Sequence, residues 1–370
     1  MSLSSNRYLS LDVFRGMDVA LMIVVNSLGS SNTYGPLLHA GWNGFTLTDL
    51  VFPTFLFVVG NSMSFSMARY ESMGDAAVWK KVLKRSAIIF LLGYLGYWFP
   101  FVELNEAGQW VMRPISETRI FGVLQRIALC YLFASIIIHY FKVSGALWFS
   151  VFALIGYRII LALFGDLTML GNAGSKLDVW LVGEAHLYQG EGVAFDPEGL
   201  LSTLPAIVNV IAGYVAGVFL QRNGQTFETL AKLLMAGALL VVLGIWWDLL
   251  FPINKKLWTS SYVLLTVGID LVILAFLVFI VDMLQQKQWT YFFEVFGRNT
   301  LFIYLLSEIF VVLMWTFSAG DLPLYDWIFQ NFFQSWAGEY NGSVLFALWV
   351  MLTCWAIGYL LDKRKIYIKV

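Results

Sequence analysis

Charge is what this chain has least of. Lys, Arg, Asp and Glu make up 13% of its 370 residues, about half of the roughly 25% a soluble domain carries. Too few ionised groups are left to cover a water-facing surface, which excludes an ordinary soluble enzyme. Cysteine occurs twice, at Cys130 and Cys354, each within an apolar run. No disulfide framework and no metal cluster is therefore indicated. There is no internal repeat, no low-complexity stretch and no segment that reads as a soluble domain. The net charge of −1 identifies no partner, because the charges are sorted along the chain, and nucleic acid is not expected as one. A cleaved leader is not expected either: Asp12, Arg15 and Asp18 interrupt what would be its apolar core.

What fills the chain is apolar surface. Hydrophobic residues account for 59% and aromatics for 17%, with a mean hydropathy of +0.74. Runs of about 18 or more apolar residues recur along the whole length, the pattern of membrane-spanning helices. Ten spans are expected, at roughly 9–29, 46–68, 83–101, 119–140, 146–164, 201–220, 230–250, 259–283, 299–318 and 343–361. The expected fold class is an all-α polytopic membrane protein, a single bundle of about ten transmembrane helices. Two connections are longer, 165–200 and 319–342. The second carries Tyr325, Trp327, Phe329, Phe332 and Phe333, which suits an amphipathic segment along the interface.

The sorting of charge sets the orientation. With the N-terminus in the cytoplasm, Arg69, Lys80, Lys81, Lys84 and Arg85 fall on the inner side, as do Lys142, Arg222, Lys232, Lys287, Arg298 and Lys363 to Lys365. The outer side receives Arg113, Arg119, Lys176, Lys255 and Lys256 among carboxylates such as Glu103, Glu106, Glu184, Glu191, Asp196 and Glu198. Cytoplasmic loops are the Lys/Arg-rich ones, so both termini are expected in the cytoplasm and residue 39 outside.

Polar groups inside the apolar runs single out the candidate residues. In span 1, Arg15 and Asn26 lie within about 20° of each other on a helical wheel, flanked at about 60° by Asp12 and Asp18. That makes one stripe about 16 Å long between Arg15 and Asn26, which must face the bundle or a cavity. A buried ion-pair network would use the same residues. Just before span 2, His39 to Pro53 (His-Ala-Gly-Trp-Asn-Gly-Phe-Thr-Leu-Thr-Asp-Leu-Val-Phe-Pro) sets an imidazole, Trp42 and Asp49 beside the membrane. His39 is the candidate general base, and Trp42-Asn43-Gly44 reads as the turn presenting it. Asp49 can orient the His, meet a cationic substrate, or serve the first turn of span 2. Span 4 carries Gln125 and Arg126, and the Arg needs a partner, either a carboxylate of helix 1 or an anionic ligand group. Asp270 and Glu308 read as interhelical hydrogen bonds. Glu198, after Asp196-Pro197, reads as a helix start or a substrate contact. Asn254, Lys255 and Trp258 suggest a polar pocket at the outer mouth, or an interfacial anchor. His139 and His186 read as interfacial and solvated.

Four stretches in this order resemble a known family: Leu11-Asp12-Val13-Phe14-Arg15-Gly16, His39 to Pro53, Gly122-Val123-Leu124-Gln125-Arg126 and Asn254-Lys255-Lys256-Leu257-Trp258. They look like the catalytic domain of heparan-α-glucosaminide N-acetyltransferase, and especially its shorter bacterial relatives associated with N-acetylglucosamine use. The resemblance covers essentially the whole chain and implies one transmembrane acyltransferase domain over 1–370, in the bacterial inner (plasma) membrane. It omits the lysosomal enzyme's extra N-terminal luminal segment and the span that follows, so a glucosamine-type sugar rather than heparan sulphate is the expected acceptor.

By this resemblance acetyl-CoA, the co-substrate, is bound from the cytoplasm and its acetyl group passes to the amine of the sugar outside. The family's catalytic His and Asn fall on His39 and Asn26, and its Gln-Arg motif on Gln125 and Arg126. Arg15, Lys84, Arg85, Gln125, Arg126 and Arg298 are then the expected CoA contacts, and Asp49, Trp42, Glu198, Asn254, Lys255 and Trp258 the expected sugar contacts. No metal is implied. The expected partners are the amino sugar, CoA and membrane lipid, with a homodimer as an open option. The competing reading is an amino-sugar permease without acyl transfer; ten spans and a polar stripe would suit it, but neither inverted repeats nor paired broken helices are visible.

Overall fold

The computed structural model describes residues 8–105 and 108–368, so Glu106 lies outside the described residues. Backbone polar groups have no water to bond inside a bilayer, so apolar runs of this length close their hydrogen bonds as helices. In chain order these are α1 (Leu9–Asn26), α2 (Leu47–Glu71), α3 (Asp75–Trp98), α4 (Val123–Phe164), α5 (Ala173–Val182), α6 (Thr203–Asn223), α7 (Phe227–Asp248), α8 (Ser260–Leu277), α9 (Thr290–Arg298), α10 (Thr300–Thr316), α11 (Leu324–Ile328) and α12 (Ser335–Lys363). Two short hairpins, Val102–Leu104 with Trp110–Met112 and Ser318–Ala319 with Leu322–Pro323, close the turns after α3 and α10.

Among the described residues, six helical stretches are long and apolar enough to cross a membrane, or seven when α9 and α10, bent by 84°, count as one broken span. Each of the ten expected ranges holds helix. Reaching ten crossings requires in addition α1 and α3, which carry several charges, and α4 as two spans. A helix of 42 residues is about 63 Å long, twice the hydrocarbon thickness, and α4 breaks at Lys142, where φ is 54°. Two expectations change. Helix α3 begins at Asp75 rather than near 83, so Lys80 and Lys81 ride on the helix instead of in a loop. The connection 319–342 is largely helical, and Tyr325 and Phe329 turn inward against Phe346 while Phe332 stays exposed.

The core sits along α2 and α6. The apolar windows of these helices are 78% and 72% buried, against 28% for α7, so a polar group on α2 points into protein. Glycine allows the two to touch: a Cβ on Gly213 would lie 1.8 Å from the Phe57 carbonyl oxygen, and one on Gly60 1.9 Å from that of Val210. Small residues at a crossing are how helices pack closely where no hydrophobic effect presses them together. Helix α1 is set against α9 in the same way, through Gly16 and Gly297.

Candidate functional site

The loop between α1 and α2 is ordered by one carboxylate. Asp49, at the third position of α2, accepts the Thr46 N–H at 3.0 Å and the Thr46 hydroxyl at 3.0 Å, which is half of a helix capping box. The same oxygen accepts the Ala40 N–H at 3.0 Å. The other oxygen lies 2.7 Å from Nδ1 of His39. Pro53 lacks the N–H that would bond the Asp49 carbonyl four residues back, and the Tyr262 hydroxyl donates to that carbonyl at 2.6 Å. Helix start and histidine orientation are thus the work of a single side chain that is 1% exposed, beside a His39 that is 49% exposed. An ionised carboxylate only accepts, so in this contact Nδ1 carries the hydrogen.

His39, Trp42 and Asp49 line a chamber of about 350 Å³ with Asn26, Glu198, Lys255 and Glu308. Lys255 Nζ stands 3.1 Å from His39 Nδ1 and 3.8 Å from Asp49. Burial pulls the Lys255 ammonium below its ordinary range, against the pull of Asp49 and Glu198. On the other wall Glu198 meets Arg119 at 2.6 Å. Arg119 also binds Asp196 through two nitrogens at 2.6 and 2.9 Å and lies between the rings of Tyr97 and Tyr188. Burial alone would raise Glu198; Arg119, Arg126 and Lys255 overcome it, and its carboxyl sits below the ordinary glutamate range. The chamber therefore offers a neutral-capable imidazole beside fixed ionised groups of both signs. Asn26, the last residue of α1, reaches it from below and hydrogen-bonds the Glu308 carboxyl group.

A second cavity of about 670 Å³ lies at the other end of the same helices. Arg15 of α1, Ser62 and Tyr70 of α2, and Thr300 and Leu301 of α10 line it, with Arg85, Tyr131 and Arg298. Its three guanidinium groups are not equivalent. Arg298 is already held by Asp362 and Glu294. Arg15 bonds Ser62 at 2.8 Å and the Gly297 carbonyl at 3.2 Å, and pairs with Asp12 at 3.5 Å. Arg85 lies over the Tyr131 ring and its Nε has no hydrogen-bond partner. A third cleft of about 590 Å³, mostly apolar, shares Leu124 with this cavity and Glu308 with the chamber. Gln125 lines it with both amide atoms buried and unpartnered, a state that calls for a partner from outside the chain.

Other expected contacts are placed elsewhere. Arg126 lines none of these cavities: it donates to the Gly199 carbonyl at 3.0 Å and to the Ser202 hydroxyl, and lies over the ring of Trp258. Trp258 is 1% exposed and bonds Asn209. The two form a buried brace under residues 196–202, the guanidinium lying over the indole, while Nε and Nη1 of Arg126 have no hydrogen-bond partner among the described residues. Asn254, also 1% exposed, donates to the Trp42 carbonyl at 2.6 Å and to Asn43; it holds the turn that carries Trp42. Lys84 is exposed and lines none of these cavities. Asp18 leaves the stripe of Arg15 and Asn26 and is buried toward Asp270. The residues missed are Arg119, Tyr188, Glu191, Lys256 and Glu308 around the chamber and Tyr70, Tyr131 and Tyr367 around the second cavity. Glu308, a carboxylate within an apolar run, and Arg119, Lys256 and Glu191, charged and on the outer side, carried a signal that could have found them.

Behind Glu198 stands Asp178 of α5, which accepts the Leu200 N–H at 2.9 Å. Burial, helped by Asp196, lifts its carboxyl from 3.8 to about 7. Between those values the folded chain keeps a proton that the unfolded chain has lost, so stability falls as pH rises through this window. Asp178→Asn keeps the acceptor and discards the titration. In thermal melts it is expected to stand about 2 °C or more above wild type at pH 8, with the gap closing by pH 4. Equal melting at pH 8, or a gap that widens toward acid, contradicts this.

Comparison with known proteins adds a family. The model described as heparan-alpha-glucosaminide N-acetyltransferase, catalytic, matches residues 7–245. The heparan-alpha-glucosaminide N-acetyltransferase of Mus musculus is 28% identical, over 99% of this chain and 61% of its own length. That of Homo sapiens is 27% identical, over 98% and 60%. The chain thus spans about 60% of the length of the curated relatives it matches.

Proposed function

The chain belongs to the heparan-alpha-glucosaminide N-acetyltransferase catalytic family, and from that premise we propose that it is a multi-pass membrane N-acetyltransferase carrying acetyl from acetyl-CoA on one face to a glucosamine-type amine on the other. The observation that carries this reading is the pair of cavities at opposite ends of α1, α2 and α10, with a cleft between them that shares Leu124 with one and Glu308 with the other. One is cationic and suits the phosphates of CoA; the other holds the His39–Asp49 pair. The Lys/Arg-rich loops support a cationic end in the cytoplasm and a chamber outside; ten spans, both termini inside and the bacterial inner membrane complete this reading.

Arg85 and Arg15 are the groups best placed for the CoA phosphates, since Arg298 is already neutralised by two carboxylates. The pantetheine arm carries two amides, and the unpartnered Gln125 amide in the cleft suits them. At the outer end Glu198, held ionised, meets the sugar as an ammonium, and Trp42 offers a face to its ring. An ammonium has no lone pair, so His39 Nε2 takes one proton before the nitrogen attacks. Asp49 fixes the tautomer and steadies the imidazolium that forms. The Asn26 amide donates to the thioester oxygen as negative charge develops there.

Purified protein in proteoliposomes, given mass-tagged acetyl-CoA and glucosamine, tests the proposal. Tagged N-acetylglucosamine is the expected product. Glucosamine uptake without acetyl-CoA and without acetylation would overturn it in favour of a permease.

A further inference from the structure

Among the described residues, Glu308 is the side chain at which the voids of this protein meet. It lines the outer chamber, the small hollow beside Asn26 and Ser27, and the apolar cleft that leads down past Gln125. It sits mid-helix on α10, in Leu305-Leu306-Ser307-Glu308-Ile309-Phe310. No ion pair engages it among the described residues, and the Asn26 amide is its hydrogen-bond partner. Tyr97 and Tyr304 are the titratable groups nearest it in the cleft, and Arg119 and Glu198 face it across the chamber. A carboxyl group at membrane depth is costly and needs a reason to be there. A tie between α1 and α10 could be made by a neutral amide at less cost.

The proposed reaction supplies a reason. Written with its protons, RNH₃⁺ and CH₃CO–S–CoA give RNH–COCH₃, CoA–SH and H⁺. His39 accounts for one ammonium proton, which leaves to the outer solvent. The second has to end on sulfur, at the inner edge of the chamber, on the far side of the carbonyl from His39. We propose that Glu308 is a catalytic acid for the departing thiol. It gives its proton to sulfur as the C–S bond breaks, and as a carboxylate it collects the remaining ammonium proton of the collapsing adduct, which restores the acid. Glu308 stands beside Asn26, the group assigned to the carbonyl oxygen, so the sulfur and that oxygen are met by neighbouring side chains. This role rests on the acetyl-transfer reading above.

The test compares donors. Glu308→Gln keeps a hydrogen-bond acceptor for Asn26 but has no proton to give. With acetyl-CoA its kcat is expected to fall about 100-fold or more, with KM for both substrates and CoA binding within about threefold. The selenoester of CoA releases a selenolate, which departs without needing a proton, so with that donor the deficit should shrink to less than about tenfold. Glu308→Asp, which retains the proton, should recover at least about tenfold over Gln. An active wild type whose Gln variant keeps more than a tenth of kcat overturns the role. So does an equal loss with both donors, or a loss that appears as failed CoA binding, since a structural tie would give either. A wild type that transfers acetyl from neither donor overturns the acetyl-transfer reading itself, and this role with it.

Discussion

His39→Ala lowers kcat for amino-sugar acetylation by about 10²–10⁴-fold while CoA binding stays within a few-fold of wild type. The separation is expected because the imidazole lies in the outer chamber, whereas the cations suited to CoA lie at the opposite end of the same helices. Without His39 the acceptor remains an ammonium, which binds but cannot attack. Asp49→Asn is the informative companion. An amide at that position can donate to Nδ1, favouring the tautomer with its hydrogen on Nε2, and the base is lost although the ring is in place. It also weakens the capping of α2, so its melting temperature falls where that of His39→Ala does not. Steady-state turnover by mass spectrometry and calorimetric titration with CoA would check both. Unchanged turnover in His39→Ala removes the histidine from the mechanism.

Asn26→Ala is expected to cost about 10²–10³-fold in kcat with little change in KM, since the bond it supplies strengthens only as the thioester oxygen becomes anionic. The competing account makes Asn26 a tie to Glu308 and nothing more. That account predicts a lower melting temperature with turnover intact. Asn26→Asp separates the two further: it is nearly isosteric, yet it faces Glu308 with a second carboxyl and has no N–H for the oxygen. Its turnover should match that of the alanine variant or fall below it. Retention of more than a third of wild-type kcat by Asn26→Ala excludes the oxyanion role.

The parts of this site that could be read in one dimension are those fixed by local geometry. Asp49 follows Thr46 by three residues and His39 by ten, so one short loop carries the dyad and its cap. Asn26 and Arg15 share a face of one helix, and the structure puts one in each cavity. Arg119, Tyr188 and Lys256 could not be placed, because the loops that carry them approach only through the packing of the bundle. Arg126 and Trp258 show the opposite difficulty. Each alone reads as ligand-seeking; the structure stacks them on one another in the core, away from the three cavities. Helix α3 begins at Asp75, earlier than the expected 83, because its first turns carry Lys80 and Lys81, which break the apolar run without breaking the helix. Glu308 read as an interhelical bond, and it makes one, but its place where three voids meet has no trace in sequence.

Helix α1 ends one cavity with Arg15 and the other with Asn26, eleven residues apart and about 16 Å along a rigid rod. Such a rod is a ruler. On the acetyl-transfer reading, with the anionic head at Arg15 and the acyl group at Asn26, a donor would have to hold the two about that far apart. Acetyl phosphate carries the same acyl group on a single phosphate, yet it is too short to occupy both ends at once. Discrimination among acetyl donors would then follow from reach, and lengthening or shortening α1 by a turn would move that threshold by about 5 Å.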